Sequence, residues 1–155
     1  MEIIAVMGPL LAAVVPLAIV LVLLANIWRK PDLDIDVDTG RLVIALHGWD
    51  AVYCARRQIV VALDQVAGVA ASPRELVPAK GLRLPGTSFP GVIRAGSYGT
   101  GARRDFWDVR RAQIVLVIQL NPGSAYRRLV LEVADPHAEA LRLQPTLGTW
   151  SASFS

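Results

Sequence analysis

The chain has 155 residues, a formal net charge of +3 and a hydrophobic fraction of 54%, enough for one domain of ordinary size beside a membrane segment. Its arginines are dispersed as Arg56-Arg57, Arg103-Arg104, Arg110-Arg111 and Arg127-Arg128 with acidic residues between them, so no like-charge block points to nucleic acid. Cys54 is the only cysteine, which excludes an internal disulfide and favours a reducing compartment.

From Ile3 to Trp28 the chain runs IIAVMGPLLAAVVPLAIVLVLLANIW, without a charge and with Asn26 as its one amide. At about 1.5 Å per residue a helix of this length crosses a hydrocarbon core of roughly 30 Å with some left for tilt. Residues 1–30 therefore read as a transmembrane anchor. A signal peptide fits less well, because the Met1-Glu2 start has no positive n-region and no small-x-small cleavage site follows. Trp28, Arg29 and Lys30 close the span as an interfacial anchor, since an indole and a snorkelling cation both favour the headgroup layer. The basic residues after the span place the N-terminus outside and the following domain in the cytoplasm of a single-pass cell-membrane protein. Ala5, Gly8, Pro9, Ala12, Ala13 and Pro16 put small or proline side chains near one helix face, where another membrane helix can approach closely.

Residues 31–144 carry the soluble domain. In PDLDIDVD, residues 31–38, Leu33, Ile35 and Val37 alternate with aspartates, the period of a half-buried strand. Thr39-Gly40 supplies a turn into RLVIAL, 41–46, and the pair reads as a β-hairpin. The stretch HGWDAVYCA, 47–55, is expected as a hairpin loop. Further strands are expected at 57–63, 65–71, 92–98, 104–110, 112–120 and 126–134, each short and bounded by turn residues. Phe106 and Trp107 are neighbours on one strand and point to opposite sides, so at most one is expected in the core. A late helix follows, with Asp135 as cap, Pro136 at its first position and Ala138, Leu141 and Ala140 as the apolar face. Residues 145–155 have no period and read as a tail.

Candidate chemistry is sparse. Asp34, Asp36 and Asp38 are spaced like Ca²⁺ ligands, but the places for the obligatory Gly and bidentate Glu hold Thr39 and Ala45. Asp38-Thr39-Gly40 matches one half of an aspartic-protease dyad, yet Arg41 follows and no second motif occurs, which leaves a membrane-anchored hydrolase as the third functional reading. Gly96, Gly99 and Gly101 lead into a strand, whereas phosphate loops lead into a helix, so they read as turn glycines. His47 and His137 lack zinc spacing, and Cys54 reads as a small buried hydrophobe. No catalytic residue, metal site or cofactor is expected. Arg56, Arg57, Arg103 and Arg104 are expected to meet at one rim, with Phe106 and Trp107 beside them, as the contact surface.

The stretch GLRLPGTSFPGVIRAGSYGTGARRDFWDVRRAQIVLVIQLNPGSAYRRLVLEVADPHAEAL resembles the bacterial pleckstrin-homology-like (PH-like) domains of small membrane-anchored proteins. The order of its parts carries the resemblance: GxxxPGT, PG, AGxY, a DFW strand, an apolar strand, YRRLVLEV and an Asp-Pro-led helix. The resemblance implies a barrel of about seven antiparallel strands capped by a C-terminal helix. It also implies a non-catalytic protein-interaction module, scaffold or accessory subunit of a membrane complex, with a membrane-protein partner or a second copy. A sensor of anionic lipid headgroups or a small ligand is the second functional reading.

Overall fold

The computed structural model describes residues 14–22, 25, 33–78, 88–89, 93–101 and 104–152. The chain divides into two compact units, Met1–Lys30 and Pro31–Ser155. In the first, residues 14–22 are helical and exposed, and Pro16 lies among them. No helix among the described residues is long and apolar enough to cross a membrane. Ala5, Gly8, Pro9, Ala12, Ala13, Trp28, Arg29 and Lys30 lie outside the described residues.

The second unit is mainly β, with two sheets and a C-terminal helix. Strands β1 (Leu33–Asp38), β2 (Arg41–Leu46) and β3 (Gln58–Ala62) form an antiparallel three-stranded sheet in the order β1-β2-β3. The expected hairpin is present: Thr39 and Gly40 have φ of 44° and 78°, the conformation that lets a two-residue turn follow the twist of its strands. Alternation sets the buried face, with Leu42, Ile44 and Leu46 of β2 and Ile59 and Val61 of β3 inside.

The second sheet contains β4 (Val66–Pro73), β5 (Ser88–Phe89), β6 (Ile93–Tyr98), β7 (Asp105–Val109), β8 (Ile114–Leu120) and β9 (Arg128–Leu131), in the order β4-β8-β9-β7-β6-β5. The expected barrel of about seven antiparallel strands is corrected in three respects. Nine strands occur among the described residues, they form two sheets that do not close into a barrel, and β7 pairs with β9 in parallel. The departure lies in strand order, which depends on contacts remote in sequence. The β7–β8 connection, residues 110–113, does not close a hairpin, because β9 lies between the two strands.

Two helices complete the unit. The expected loop at 47–55 instead contains α1 (Gly48–Tyr53), anchored by the buried ion pair between Asp50 and Arg110. The second, α2 (Pro136–Ala152), continues past Gln144, so residues expected as a tail are helical as far as Ala152. Asp135 caps α2 as expected, its Oδ1 accepting the His137 and Ala138 amides at 3.1 and 2.9 Å. The buried positions of α2 are Ala140 and Leu143, while Ala138 and Leu141 are exposed. The buried face thus keeps Ala140 and lies about two residues round the axis from Ala138 and Leu141, and α2 packs it on β4 and β8.

Both faces of β7 are buried, and therefore Phe106 and Trp107 are both core residues at 0% exposure, contrary to the expectation of one. Trp107 packs with Val77, Tyr98, Val109, Val115, Val117 and Val130. On the other face the Phe106 ring meets Tyr126 edge-on, with centroids 5.8 Å apart. Neither aromatic lies at a contact surface.

Glu132, directly after β9, holds the 110–113 connection. One carboxylate oxygen, Oε2, accepts the amides of Arg110, Arg111 and Ala112 at 2.7, 2.8 and 3.0 Å. Charge-assisted bonds of this kind are about twice as strong as neutral ones. Replacing Glu132 with Gln is expected to lower the unfolding free energy by about 2–4 kcal/mol. Urea denaturation of the purified protein checks this, and an unchanged midpoint would show that the connection is held without the carboxylate.

Candidate functional site

The described arginines of the second unit include some matched to carboxylates and some that are not. Arg127 and Arg128 converge on the fully buried Asp105: Arg127 Nε and Nη2 donate at 3.0 and 2.8 Å and Arg128 Nε at 2.9 Å. Arg110 pairs with Asp50, and Arg142 with Glu139. These side chains neutralise carboxylates and join elements. Arg56, Arg57 and Arg104 form no ion pair with a carboxylate among the described residues.

Arg56 and Arg104 meet on one aromatic ring. Their guanidinium carbons lie 5.9 and 5.5 Å from the centroid of Tyr126, within reach of the ring's negative face. Tyr126 itself is buried, backed by Phe106 and with its hydroxyl 3.4 Å from Ser97 Oγ. Arg104 is further fixed by donation from Nε to the Gly101 carbonyl at 3.0 Å. Its backbone carbonyl accepts the Arg127 amide at 2.7 Å, which ties it to the β9 side of the sheet. Of the four arginines expected to meet at one rim, Arg56 and Arg104 come together on Tyr126, and Arg103 lies outside the described residues. Tyr126, which joins them, was not among the candidates. Its place beside Arg127-Arg128 in the sequence was the one available signal.

Arg56 also borders an open cleft of about 500 Å³ with Leu46, His47, Gly48, Ala51, Ala55 and Arg57. The cleft is made where the chain leaves β2, turns through α1 and returns to β3. Ala55 adopts φ 53°, a left-handed conformation that costs a residue with a Cβ about 1 kcal/mol or more, and it directs the chain into the exposed Arg56-Arg57 pair. His47 Nε2 lies 3.3 Å from the Asp34 carboxylate at the edge of β1.

Just after α1, the buried Cys54 reaches the backbone of β7. Cys54 Sγ lies 3.9 Å from the Trp107 carbonyl oxygen, with the Asp108 carboxyl nearby. Burial, with Asp108 adding to it, pushes the thiol well above its usual range, so it stays protonated and is a poor nucleophile. The Asp108 carboxyl is pushed up to about 7, first by burial and then by the nearby Glu132 charge, against the lowering effect of the Cys54 thiol. Asp38, considered above as half of a protease dyad, sits exposed at the β1–β2 tip with its Oδ1 accepting from Thr39 Oγ1 at 2.6 Å. Gly96, Gly99 and Gly101 all have positive φ, at 122°, 100° and 58°, and serve β6 and its turn toward β7.

Asp108 gives the fold a pH dependence. Its carboxyl titrates near 7 in the folded protein and near 4 when unfolded, so between these values the folded state holds a proton that the unfolded state releases. The Asp108 contribution to stability is expected to be greatest below pH 4, to fall by on the order of a few kcal/mol up to pH 7, and to level off above it. Asp108→Asn should flatten this slope in urea denaturation across pH 4–8, and a slope that persists would assign it to another group.

No model of a known family, no characterised protein and no solved structure matches this chain.

Proposed function

We propose that the chain is a single-pass membrane protein whose soluble domain acts without catalysis as a protein-interaction module, scaffold or accessory subunit of a membrane complex. The observation that carries this reading is the rim itself. Arg56 and Arg104 are held on the Tyr126 ring, with no carboxylate partner among the described residues, while other arginines of the domain are matched to buried or neighbouring acids. Pre-positioned guanidinium groups with donors left over suit an acidic partner surface, because stacking removes much of the entropy such side chains otherwise lose on binding.

The anchor belongs to the same proposal. The run from Ile3 to Trp28 is uncharged, and the helical residues 14–22 present only apolar side chains, all exposed, as a lipid-facing or helix-facing surface requires. The basic residues Arg29 and Lys30 after the run support a cytoplasmic side for the domain. The PH-like resemblance is consistent with a mainly-β domain closed by one helix, and the interaction role does not depend on barrel topology. The cleft beside Arg56 and Arg57 favours a second reading, recognition of an anionic headgroup or small ligand.

Full-length protein extracted in mild detergent is expected to bring a membrane-protein partner with it. The Arg56→Glu/Arg104→Glu variant should lose that partner while staying folded, with stability lowered only by about 1–2 kcal/mol from the two lost ring contacts. Recovery only as a free monomer across several detergents would sink the interaction reading. For topology, a Pro31→Cys substitution in a Cys54→Ala background should resist impermeant thiol reagents in intact cells, and ready labelling would reverse the orientation.

A further inference from the structure

We infer that the cleft between the end of β2, α1 and the start of β3 is a binding site for a phosphate monoester held by Arg56 and Arg57. The inference deepens the headgroup reading and stands apart from the partner-binding role of Arg104. Both arginines are exposed, border the same cleft and form no ion pair among the described residues. Their combined charge matches that of a phosphate monoester, about −2 near neutral pH, and each guanidinium can present two parallel donors to its oxygens.

The rest of the cleft suits the body of such a ligand. Its volume of about 500 Å³ lies in the range of small-molecule sites. Gly48, Ala51 and Ala55 keep the walls low. The site is also built on rigid supports. Asp50 ties α1 to Arg110, the Leu46 amide donates to the Arg57 carbonyl at 2.8 Å, and Arg56 is stacked on Tyr126. His47 contributes little to anion binding, because Asp34 occupies its Nε2. A flat acidic protein surface would reach the arginine tips and leave the cleft empty. A compact ester fills both.

The test uses the full-length protein in neutral maltoside micelles, titrated calorimetrically with glycerol 1-phosphate and with inorganic phosphate. Saturable binding of both is expected, tighter for the ester, whose glycerol body enters the cleft. Arg56→Gln and Arg57→Gln should each weaken it by about fivefold or more. Arg41→Gln removes the same charge from an exposed position at the opposite end of β2 and should leave binding unchanged. Unaltered melting of all three variants excludes misfolding. A second arm distinguishes the source of the ester. In nanodiscs of phosphatidylcholine with added phosphatidic acid, slowed hydrogen exchange over residues 47–57 relative to phosphatidylcholine alone identifies a lipid headgroup. Binding in micelles without that protection identifies a soluble ester. Absence of saturable binding in both arms overturns the site, as does equal weakening by Arg41→Gln. A partner recovered by co-purification while phosphate fails to bind would leave the interaction reading intact and remove only this inference.

Discussion

The position of β9 between β7 and β8 is the constraint on which the second sheet depends. Neighbouring strands lie about 4.8 Å apart, so the short connection at 110–113 must span roughly twice that distance across the end of β9. A chain crossing a strand end cannot continue the ladder, and its amides need other acceptors. Glu132 supplies one at the point where β9 ends, because the residue following the strand lies directly under the crossing. Arg74 completes the arrangement from the other side: its Nη1 donates to the Arg110 carbonyl at 3.0 Å, and its amide donates to the Gln113 carbonyl at 2.7 Å. The Arg110 side chain reaches Asp50 from the same connection and so fixes α1. A single topological choice thus requires a cluster of charged groups in an otherwise apolar domain.

The same choice makes β7 an interior strand. With β6 on one edge and β9 on the other, and both faces covered, every residue of Asp105–Val109 is buried. Two of these five positions are aspartates, and each is accommodated differently. Asp105 faces two arginines and is an anion with its charge matched. Asp108 meets a thiol and a like charge, and burial favours its neutral form. Such groups contribute little net stability compared with apolar residues of the same size, but they penalise any strand pairing that leaves them unmatched. Asp105 finds Arg128 by direct opposition in the β7–β9 register. That match gives the parallel pairing a polar criterion in addition to its apolar one.

What could be read from the sequence was what local chemistry decides. Alternation along 33–46 with Thr39-Gly40 between its halves located the first hairpin, and Asp135-Pro136 located the start of α2, because these signals act over a few residues. Strand order could not be read in that way. The run AQIVLVIQL is apolar on both faces, so it is compatible with either neighbour, and its pairing with β4 and β9 rather than β7 depends on contacts remote in sequence. The burial of both Phe106 and Trp107 followed from the same cause, since the alternation argument holds only where one face is solvated. GWDAVY looked like a loop because its length is short for a helix, and the buried partner of Asp50 lies far away at Arg110. Of the contact surface, charge was legible and geometry was not. The doublets Arg56-Arg57, Arg103-Arg104 and Arg127-Arg128 look alike in sequence, and only the fold assigns the last to Asp105 and stacks one member of each of the others on Tyr126.

The division among the arginines bears on how such a domain would work at a membrane. A paired arginine has exchanged its hydration for a fixed acid, whereas one stacked on an aromatic ring keeps donors for a ligand and loses little conformational freedom on binding. Two or three such groups at an exposed rim give modest intrinsic affinity, because solvent and salt screen them. Tethering changes the requirement. In the proposed anchored arrangement, the membrane would confine both domain and partner, and a short linker raises the effective concentration into the millimolar range. Weak and rapidly reversible contacts are then sufficient for occupancy. Selectivity would come from the placement of the guanidinium groups by Tyr126 and the Ala55 turn, more than from the number of charges.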